Sequence, residues 1–208
     1  MILVTGGTGL VGSHLLLELM NRGERVRAIR KKNSNLSEVE KVFSWWTNNP
    51  QELFSKIEWV EGDIMDVYSL HEAMEGVKEV YHSAGVISFF PNEAKEMMKV
   101  NVEGTANVVN VCLEKKIKKL CHVSSVSALG IEGVTDVISE ETHWKISPNH
   151  ANYSISKYGG EREVWRGAEE GLNMVIVNPA IILGAGNWHR GSPSMIRFAS
   201  REIGRAHV

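Results

Sequence analysis

The sequence predicts an α/β fold, an open and doubly wound parallel sheet with helices on both faces. Three observations predict it: short apolar runs recur along the chain, helical periodicity lies between them, and a glycine-rich turn follows the first run. The expected strands are residues 2–4, 26–29, 57–60, 80–82, 120–123 and 174–177. Parallel neighbours need a long crossover connection, and the intervening helices supply it.

The expected helices are residues 10–20, 36–46, 68–74, 93–114 and 154–169, where apolar side chains recur at helical spacing. Two segments interrupt the alternation of strands and helices. Residues 33–56 are rich in Asn and Ser and carry the pair Trp45 and Trp46, whereas residues 131–152 lack clear periodicity. We expect both segments to be surface excursions.

Composition excludes several classes of protein. The chain has 208 residues, of which 43% are hydrophobic and 23% charged, as in a globular domain with part of another. The net charge of −2 predicts neither a nucleic-acid nor a membrane partner. No Cys/His cluster has metal-ligand spacing, so we expect no metal. The first apolar run follows Met1 directly, and no run approaches the roughly 18 residues of a membrane span, so we expect a cytoplasmic location.

The turn after the first strand, residues 5–12, reads Thr-Gly-Gly-Thr-Gly-Leu-Val-Gly and opens a helix. Glycine at such a turn lets the backbone approach a pyrophosphate without obstruction by Cβ, and the N-terminus of the next helix favours negative charge. This context predicts a Rossmann-type dinucleotide site. The expected contacts are Gly6, Thr8, Gly9, Leu10, Val11 and Gly12.

The end of the second strand bears on which dinucleotide is bound. NAD-preferring folds offer an Asp or Glu there to the ribose hydroxyls, whereas this strand ends in Arg30, Lys31 and Lys32. A carboxylate would repel a 2′-phosphate, but Arg30 with a neighbouring lysine can form charge-assisted hydrogen bonds with it. We therefore expect NADP to be preferred. The alternative is NAD, with the cations only solvating the strand end.

Tyr153 and Lys157 lie four residues apart at the start of an expected helix and therefore share one of its faces. This spacing alone arises often by chance, so its neighbours matter. Upstream, the fifth strand ends in Ser124 and Ser125, which places their hydroxyls at the expected carboxyl edge of the sheet. The sequence thus predicts that a hydroxyl, a phenol and an ammonium group lie near the dinucleotide.

Seven motifs in the same order resemble an extended short-chain dehydrogenase/reductase of the NAD-dependent epimerase/dehydratase superfamily, in its dihydroflavonol-reductase-like branch. They are the glycine turn, Gly62-Asp63, residues 82–85, residues 101–105, Ser124-Ser125, residues 153–157 and Asn178-Pro179.

The resemblance implies a role for each matching residue. Tyr153 matches the catalytic acid/base, Lys157 its partner and a ligand of the nicotinamide ribose, and Ser125 the hydroxyl that holds the substrate oxygen. The matching cofactor contacts are Asp63 and Ile64 at the adenine, Ser83, Ala84 and Gly85 along the cofactor, and Pro179 at the nicotinamide. Asn101 matches a helix asparagine with a structural or proton-relay use. We expect a nearby ammonium group to favour the phenolate form of Tyr153.

These residues support an NAD(P)-dependent oxidoreductase that reduces a ketone or aldehyde, or oxidises an alcohol. Two alternatives stay open: a nucleotide-sugar epimerase or dehydratase that holds NAD tightly, and a catalytically silent NADP-binding regulator. The intact set of Ser125, Tyr153 and Lys157 argues against the silent regulator. The expected partners are a small-molecule substrate and a second copy of the chain in a homodimer.

We divide the chain into an NAD(P)-binding domain, residues 1–180, and the start of a substrate-binding region, residues 181–202. The resemblance implies that this region continues further in the family. Residues 203–208, Ile-Gly-Arg-Ala-His-Val, are also encoded by one reading frame of a common sequencing adapter. We therefore expect the chain to be a fragment with a non-native tail.

Overall fold

The computed structural model describes residues 1–88, 90–130, 138–142, 144–145, 147–148, 150–188 and 191–205. Within these residues, six parallel strands form one sheet in the order β3-β2-β1-β4-β5-β6. The strands are β1 (Ile2–Thr5), β2 (Val26–Arg30), β3 (Glu58–Glu61), β4 (Glu79–His82), β5 (Lys119–Val123) and β6 (Met174–Val177). This order is that of a doubly wound sheet, and it confirms the predicted fold class and the six expected strands.

Helices connect the strands and cover the sheet. They are α1 (Leu10–Asn21), α2 (Ser37–Trp46), α3 (Pro50–Ser55), α4 (Val67–Ala73), α5 (Ala94–Met98), α6 (Gly104–Glu114), α7 (Asn152–Glu169) and α8 (Gly191–Arg205). Short 3₁₀ turns lie at Pro91–Glu93 and Val126–Ala128. Among the described residues, no helix has the length and apolar character needed to cross a membrane.

Successive side chains of the central strand β1 face opposite layers. Ile2 and Val4 pack in a core with α1 and α2, whereas Leu3 packs in a second core with α4, α6 and α7. All three side chains are buried. Because burying a side chain of this size contributes about 1.5–3 kcal/mol, the alternation of apolar residues on both sides holds the helical layers to the sheet.

Helix α2 corrects the expectation that residues 33–56 are a surface excursion. Val39 and Phe43 lie on its inner face and have no exposed surface. Phe43 also meets Phe54 of α3 edge to face, with ring centroids 6.0 Å apart. Trp45 and Trp46 are exposed, by 46% and 63%. The expectation is therefore wrong for the inner face of the segment. Of the second expected excursion, residues 131–137, 143, 146 and 149 lie outside the described residues.

The helix expected at residues 93–114 is interrupted by a π turn at Lys99–Glu103, which separates α5 from α6. Helix α7 crosses this turn closely, because a Cβ on Gly160 would lie 2.4 Å from the Asn101 carbonyl oxygen. The buried Asn101 amide accepts from Val86 N at 2.8 Å and donates to Val86 O at 2.9 Å and to Ser156 Oγ at 3.0 Å. The π turn thus ties α7 to the segment that follows β4.

A chain of hydrogen bonds crosses the core from β1 to the π turn. Thr5 Oγ1 lies 2.7 Å from His82 Nδ1, and His82 Nε2 lies 3.0 Å from Thr105 Oγ1. Thr105 donates its only hydroxyl proton to Asn101 O at 2.7 Å. It must therefore accept from His82 Nε2, which leaves His82 Nδ1 to accept from Thr5. The network assigns a single neutral tautomer to His82.

Complete burial, together with the charge of nearby Lys157, lowers the pKa of His82 to about 3. The unfolded chain takes up a proton on this imidazole below about pH 6.5, whereas the folded chain does not. The unfolded state therefore binds more protons, so stability is full above pH 6.5 and is lost as the pH falls toward 3.

We predict that His82 costs the protein about 2 kcal/mol of unfolding free energy between pH 7 and pH 5. Urea denaturation of the wild type and of His82→Gln at the two pH values measures this loss as the difference between the two proteins. In His82→Gln, whose amide does not titrate, the loss should be about 2 kcal/mol smaller. Thr105→Val should lower stability at both pH values and keep the wild-type pH dependence. An equal pH dependence in His82→Gln and the wild type would contradict the prediction.

Candidate active site

The predicted site residues all follow the carboxyl ends of strands or lie on the helices beside them. The structure places the glycine turn after β1, Arg30 and Lys31 at the end of β2, Asp63 and Ile64 after β3, Ser83, Ala84 and Gly85 after β4, Ser125 after β5, Pro179 after β6, and Tyr153 and Lys157 on α7. Open α/β sheets bind ligands at this edge.

Close contacts explain two glycines of the turn after β1. Gly6 has a φ of +72°, and a Cβ on it would lie 2.5 Å from Ala84 N. A Cβ on Gly12 would lie 2.1 Å from Gly6 O, so only glycine lets α1 begin this close to the turn. The turn is therefore locked between α1 and the segment after β4.

The first turn of α1 suits an anion. Gly9 is the residue before the helix, and the first turn carries no acidic side chain. The first N–H groups of a helix have no intrahelical acceptor and present partial positive charge. His14, one turn further on, lies 2.8 Å from Ala185 O through Nε2, so the segment after β6 reaches the start of this helix.

At the end of β2, one of the two predicted cations is already paired. Lys31 Nζ lies 2.9 Å from an Asp63 carboxylate oxygen. Burial raises the pKa of Asp63, but the hydrogen bonds from Lys31 and from Met65 N outweigh burial and hold that pKa below its usual value. The Arg30 guanidinium bonds the Lys32 carbonyl at 3.4 Å, and no carboxylate among the described residues forms an ion pair with it. Arg30 is therefore open to a further anion.

Ser125 and Tyr153 meet at the end of β5. The Ser125 side chain is buried, and its Oγ accepts from Ser127 N at 3.1 Å. Burial raises the pKa of Tyr153, and the hydrogen bond with Ser125 opposes that rise. The phenol therefore keeps its proton at neutral pH, and the hydroxyl of Ser125 stands beside it.

Lys157 reaches the same place from the next turn of α7. It is 9% exposed, and its Nζ donates to Val123 O at 3.0 Å. Burial lowers the pKa of Lys157 to about 8, against the charge of Glu161, which raises it. The raised pKa of Tyr153 runs against the expectation that its surroundings favour the phenolate form.

The sequence did not single out Glu161, although it lies four residues after Lys157 and eight after Tyr153 on α7. Its Oε2 accepts from Ser124 Oγ at 2.6 Å and from Asn178 Nδ2 at 2.8 Å. The spacing of four and eight residues was the available signal, since it places all three side chains along one helix face. This contact gives the Ser124 hydroxyl a structural role.

A cavity of about 220 Å³ lies between the turn after Ser125 and the start of α7. The side chains that line it are Val126, Ser127, Leu129, Ile138, His150 and Ser154. One lining residue, His150, belongs to a stack of rings: Trp144 stacks with both His150 and Tyr158, with centroid distances of 4.1 and 4.3 Å. Among the described residues, this lining contains no Lys, Arg, Asp or Glu.

The sheet order and the glycine turn before α1 together define a Rossmann-type α/β protein. The sequence model of the NAD dependent epimerase/dehydratase family matches residues 2–208, and the chain belongs to this family. The predicted resemblance is confirmed.

Two relatives and one solved structure illustrate the similarity. Sterol demethylase protein B of Methylococcus capsulatus is 32% identical over 186 residues, which cover 88% of this chain and 51% of that protein. Dihydroflavonol 4-reductase of Dianthus caryophyllus is 24% identical over 208 residues, which cover 96% of this chain and 56% of that protein. The terminal R domain from the myxalamid PKS-NRPS biosynthetic pathway superimposes with a TM-score of 0.80 at 26% identity, over 97% of this chain and 55% of that one. The chain thus spans about half the length of these relatives.

We predict that Gly6→Ala destabilises the fold by about 2 kcal/mol more than Gly23→Ala does, because the new methyl group would overlap the backbone at Ala84. Gly23 is the matched control. Its φ is +73°, close to that of Gly6, but nothing lies within 4 Å of its added Cβ. Urea denaturation of both variants measures the difference, and equal losses would show that backbone strain alone decides the cost at Gly6.

Proposed function

We propose that the chain is the cofactor-binding part of an NADP-preferring oxidoreductase that reduces a ketone or aldehyde, or oxidises the matching alcohol. The observation that carries the proposal is the meeting of Ser125 and Tyr153 at the end of β5, with Lys157 one helical turn away. A hydroxyl donor beside a phenol is the arrangement that a carbonyl needs if it is to be held and protonated at one atom.

In the reducing direction the phenol acts as the acid. The raised pKa of Tyr153 keeps the proton on its oxygen until a carbonyl oxygen gains negative charge and draws it away. Ser125 Oγ accepts from Ser127 N and is hydrogen-bonded to Tyr153, and a carbonyl oxygen that enters between the two hydroxyls can accept a hydrogen bond from each. The proton that leaves Tyr153 becomes the hydroxyl proton of the product, and the phenolate must be reprotonated before the next turnover.

Lys157 supplies the positive charge that a phenolate in this place would need. Its pKa of about 8 leaves it mostly protonated at pH 7. Its bond to Val123 O holds the ammonium group at the end of β5, one turn along α7 from the phenol. From there it can also donate to a ribose hydroxyl.

The residues present fit a nicotinamide dinucleotide. Gly6 and Gly12 add no side chain to the turn before α1. The N-terminus of α1, with no acidic side chain in its first turn, suits a pyrophosphate. Asp63 and the segment 83–85 would hold the adenosine side and the length of the cofactor, and Pro179 and Lys157 the nicotinamide side. When bound, the nicotinamide supplies or accepts the hydride.

The cavity beside Ser125 favours a carbonyl substrate over a nucleotide sugar. A nucleoside diphosphate carries negative charge that cationic side chains usually bind, whereas the described residues of this lining include no Lys or Arg. The second candidate, a nucleotide-sugar epimerase or dehydratase, rests on the family to which the chain belongs. NAD that stays bound through purification would favour this second candidate.

We predict that Tyr153→Phe lowers kcat by at least about 100-fold, because it removes the proton donor. NADPH oxidation, followed by absorbance with a panel of aliphatic and aromatic ketones and aldehydes, measures the loss. Fluorescence titration should give the same NADPH affinity for both proteins. Undiminished turnover in the variant would remove Tyr153 from the proposed role.

We predict that Arg30→Ala weakens NADPH binding about tenfold and leaves NADH binding unchanged, since a charge-assisted hydrogen bond contributes about 1.5–3 kcal/mol. Arg25→Ala, at the amino end of the same strand, is the matched control and should change neither affinity. Fluorescence titrations with both cofactors measure the ratio. Tighter binding of NADH than of NADPH by the unaltered chain would contradict the NADP preference.

A further inference from the structure

We propose that Glu161 is a positioning residue. Its carboxylate links the carboxyl ends of β5 and β6 and thereby fixes the nicotinamide half of the cofactor-binding site. This inference rests on the proposed function, because it concerns how one half of the proposed cofactor-binding site is held in place. We call the group formed by Glu161, Ser124 and Asn178 the clamp.

One oxygen of the Glu161 carboxylate joins the two strand ends. Its Oε2 accepts from Ser124 Oγ at 2.6 Å and from Asn178 Nδ2 at 2.8 Å. The same Asn178 amide donates to Ser125 O at 3.2 Å. The clamp therefore includes Ser124, which precedes the proposed catalytic Ser125, and Asn178, which precedes Pro179. Through the Asn178 amide it also contacts the backbone of Ser125.

Backbone hydrogen bonds show that the two strand ends are held in register where the clamp acts. Ser124 N donates to Val177 O at 2.8 Å, and Val126 N donates to Pro179 O at 3.1 Å. The clamp adds a side-chain link between these two bonds. Because a hydrogen bond to a charged group is about twice as strong as a neutral one, a carboxylate is well suited to hold both strands at this point.

The clamp also fixes the distance of helix α7 from the sheet. Glu161 lies on the same helix face as Tyr153 and Lys157, so whatever holds its carboxylate against the strand ends also sets where the phenol and the ammonium group stand. Trp165 Nε1 donates to the other carboxylate oxygen at 3.3 Å, from the next turn of the helix. The negative charge of Glu161 raises the pKa of Lys157 against the effect of burial.

The clamp lies on the side of β5 and β6, whereas the proposed adenosine contacts lie on the side of β2 and β3. Loss of the clamp should therefore weaken binding at the nicotinamide half of the cofactor-binding site and leave the adenosine half unchanged. A residue with a purely structural role would affect both halves to a similar extent. This difference separates the two readings of Glu161.

The test compares a whole dinucleotide with its adenosine half. Dissociation constants for NADPH and for 2′,5′-ADP, and for NADH and ADP-ribose, are measured by calorimetry on the full chain and on four variants. Glu161→Ala removes the clamp, and Ser124→Ala removes one of its contacts and keeps the charge. Glu161→Gln keeps one oxygen that can accept from both Ser124 and Asn178. Glu169→Gln is the matched control, since Glu169 is exposed on the same helix.

In Glu161→Ala we expect NADPH to bind about tenfold more weakly, the change produced by about 1.4 kcal/mol, with 2′,5′-ADP within about twofold of its original affinity. Ser124→Ala should show a smaller loss in the same sense, and Glu161→Gln should recover most of the affinity. Glu169→Gln should match the unaltered chain.

Two results would overturn the clamp: equal weakening of NADPH and 2′,5′-ADP, or unchanged NADPH binding in both Glu161→Ala and Ser124→Ala. An unaltered chain that binds none of the four ligands would instead overturn the proposed function, and the clamp with it. If Glu161→Ala fails to fold, Ser124→Ala and Glu161→Gln decide the matter by the same comparison of ligands.

Discussion

A buried polar atom without a hydrogen-bond partner costs free energy, and the architecture around His82 gives a partner to both nitrogens of its imidazole. Thr5 satisfies one nitrogen and Thr105 the other. Thr5 Oγ1 also accepts from Ala84 N at 3.3 Å, and Ser83 Oγ donates to Thr5 O at 2.7 Å. The end of β1, from which the glycine turn departs, is thus fixed to the segment after β4 by the same group of polar side chains.

The two halves of the site are built on different electrostatics. On the side of β2 and β3, the exposed Lys31 forms an ion pair with the partly buried Asp63. An ion pair that solvent can reach contributes little to stability. On the side of β5, Lys157 is held away from water and has a pKa of about 8. A shift of this size corresponds to about 3 kcal/mol at neutral pH that the fold must offset. The fold offsets it at a place where the proposed chemistry uses the charge.

The sequence was enough to predict the strands and to place the candidate site residues at one edge of the sheet, because apolar runs and glycine turns depend on local residues. It was not enough to predict the helix interruption at Lys99–Glu103, since nothing in residues 93–114 distinguishes a π turn from regular helix before α7 packs on it. The inner face of α2 was missed because Asn and Ser around it suggested a surface. Glu161 was missed because its partners, Ser124 and Asn178, come from strands 37 and 17 residues away in the chain. The direction of the Lys157 side chain also depends on a tertiary contact, its bond to Val123 O.

The position of Asn101 depends on the number of residues in the π turn as well as on which residues they are. A π turn holds one residue more than a regular helical turn, so the helix before it and the helix after it keep their own packing faces. Removing one residue between 99 and 103 would restore regular helix and rotate one flank by about 100° relative to the other. Either Met97 would then leave the core or the Asn101 amide would leave Val86 and Ser156. The length of this segment is therefore itself under constraint.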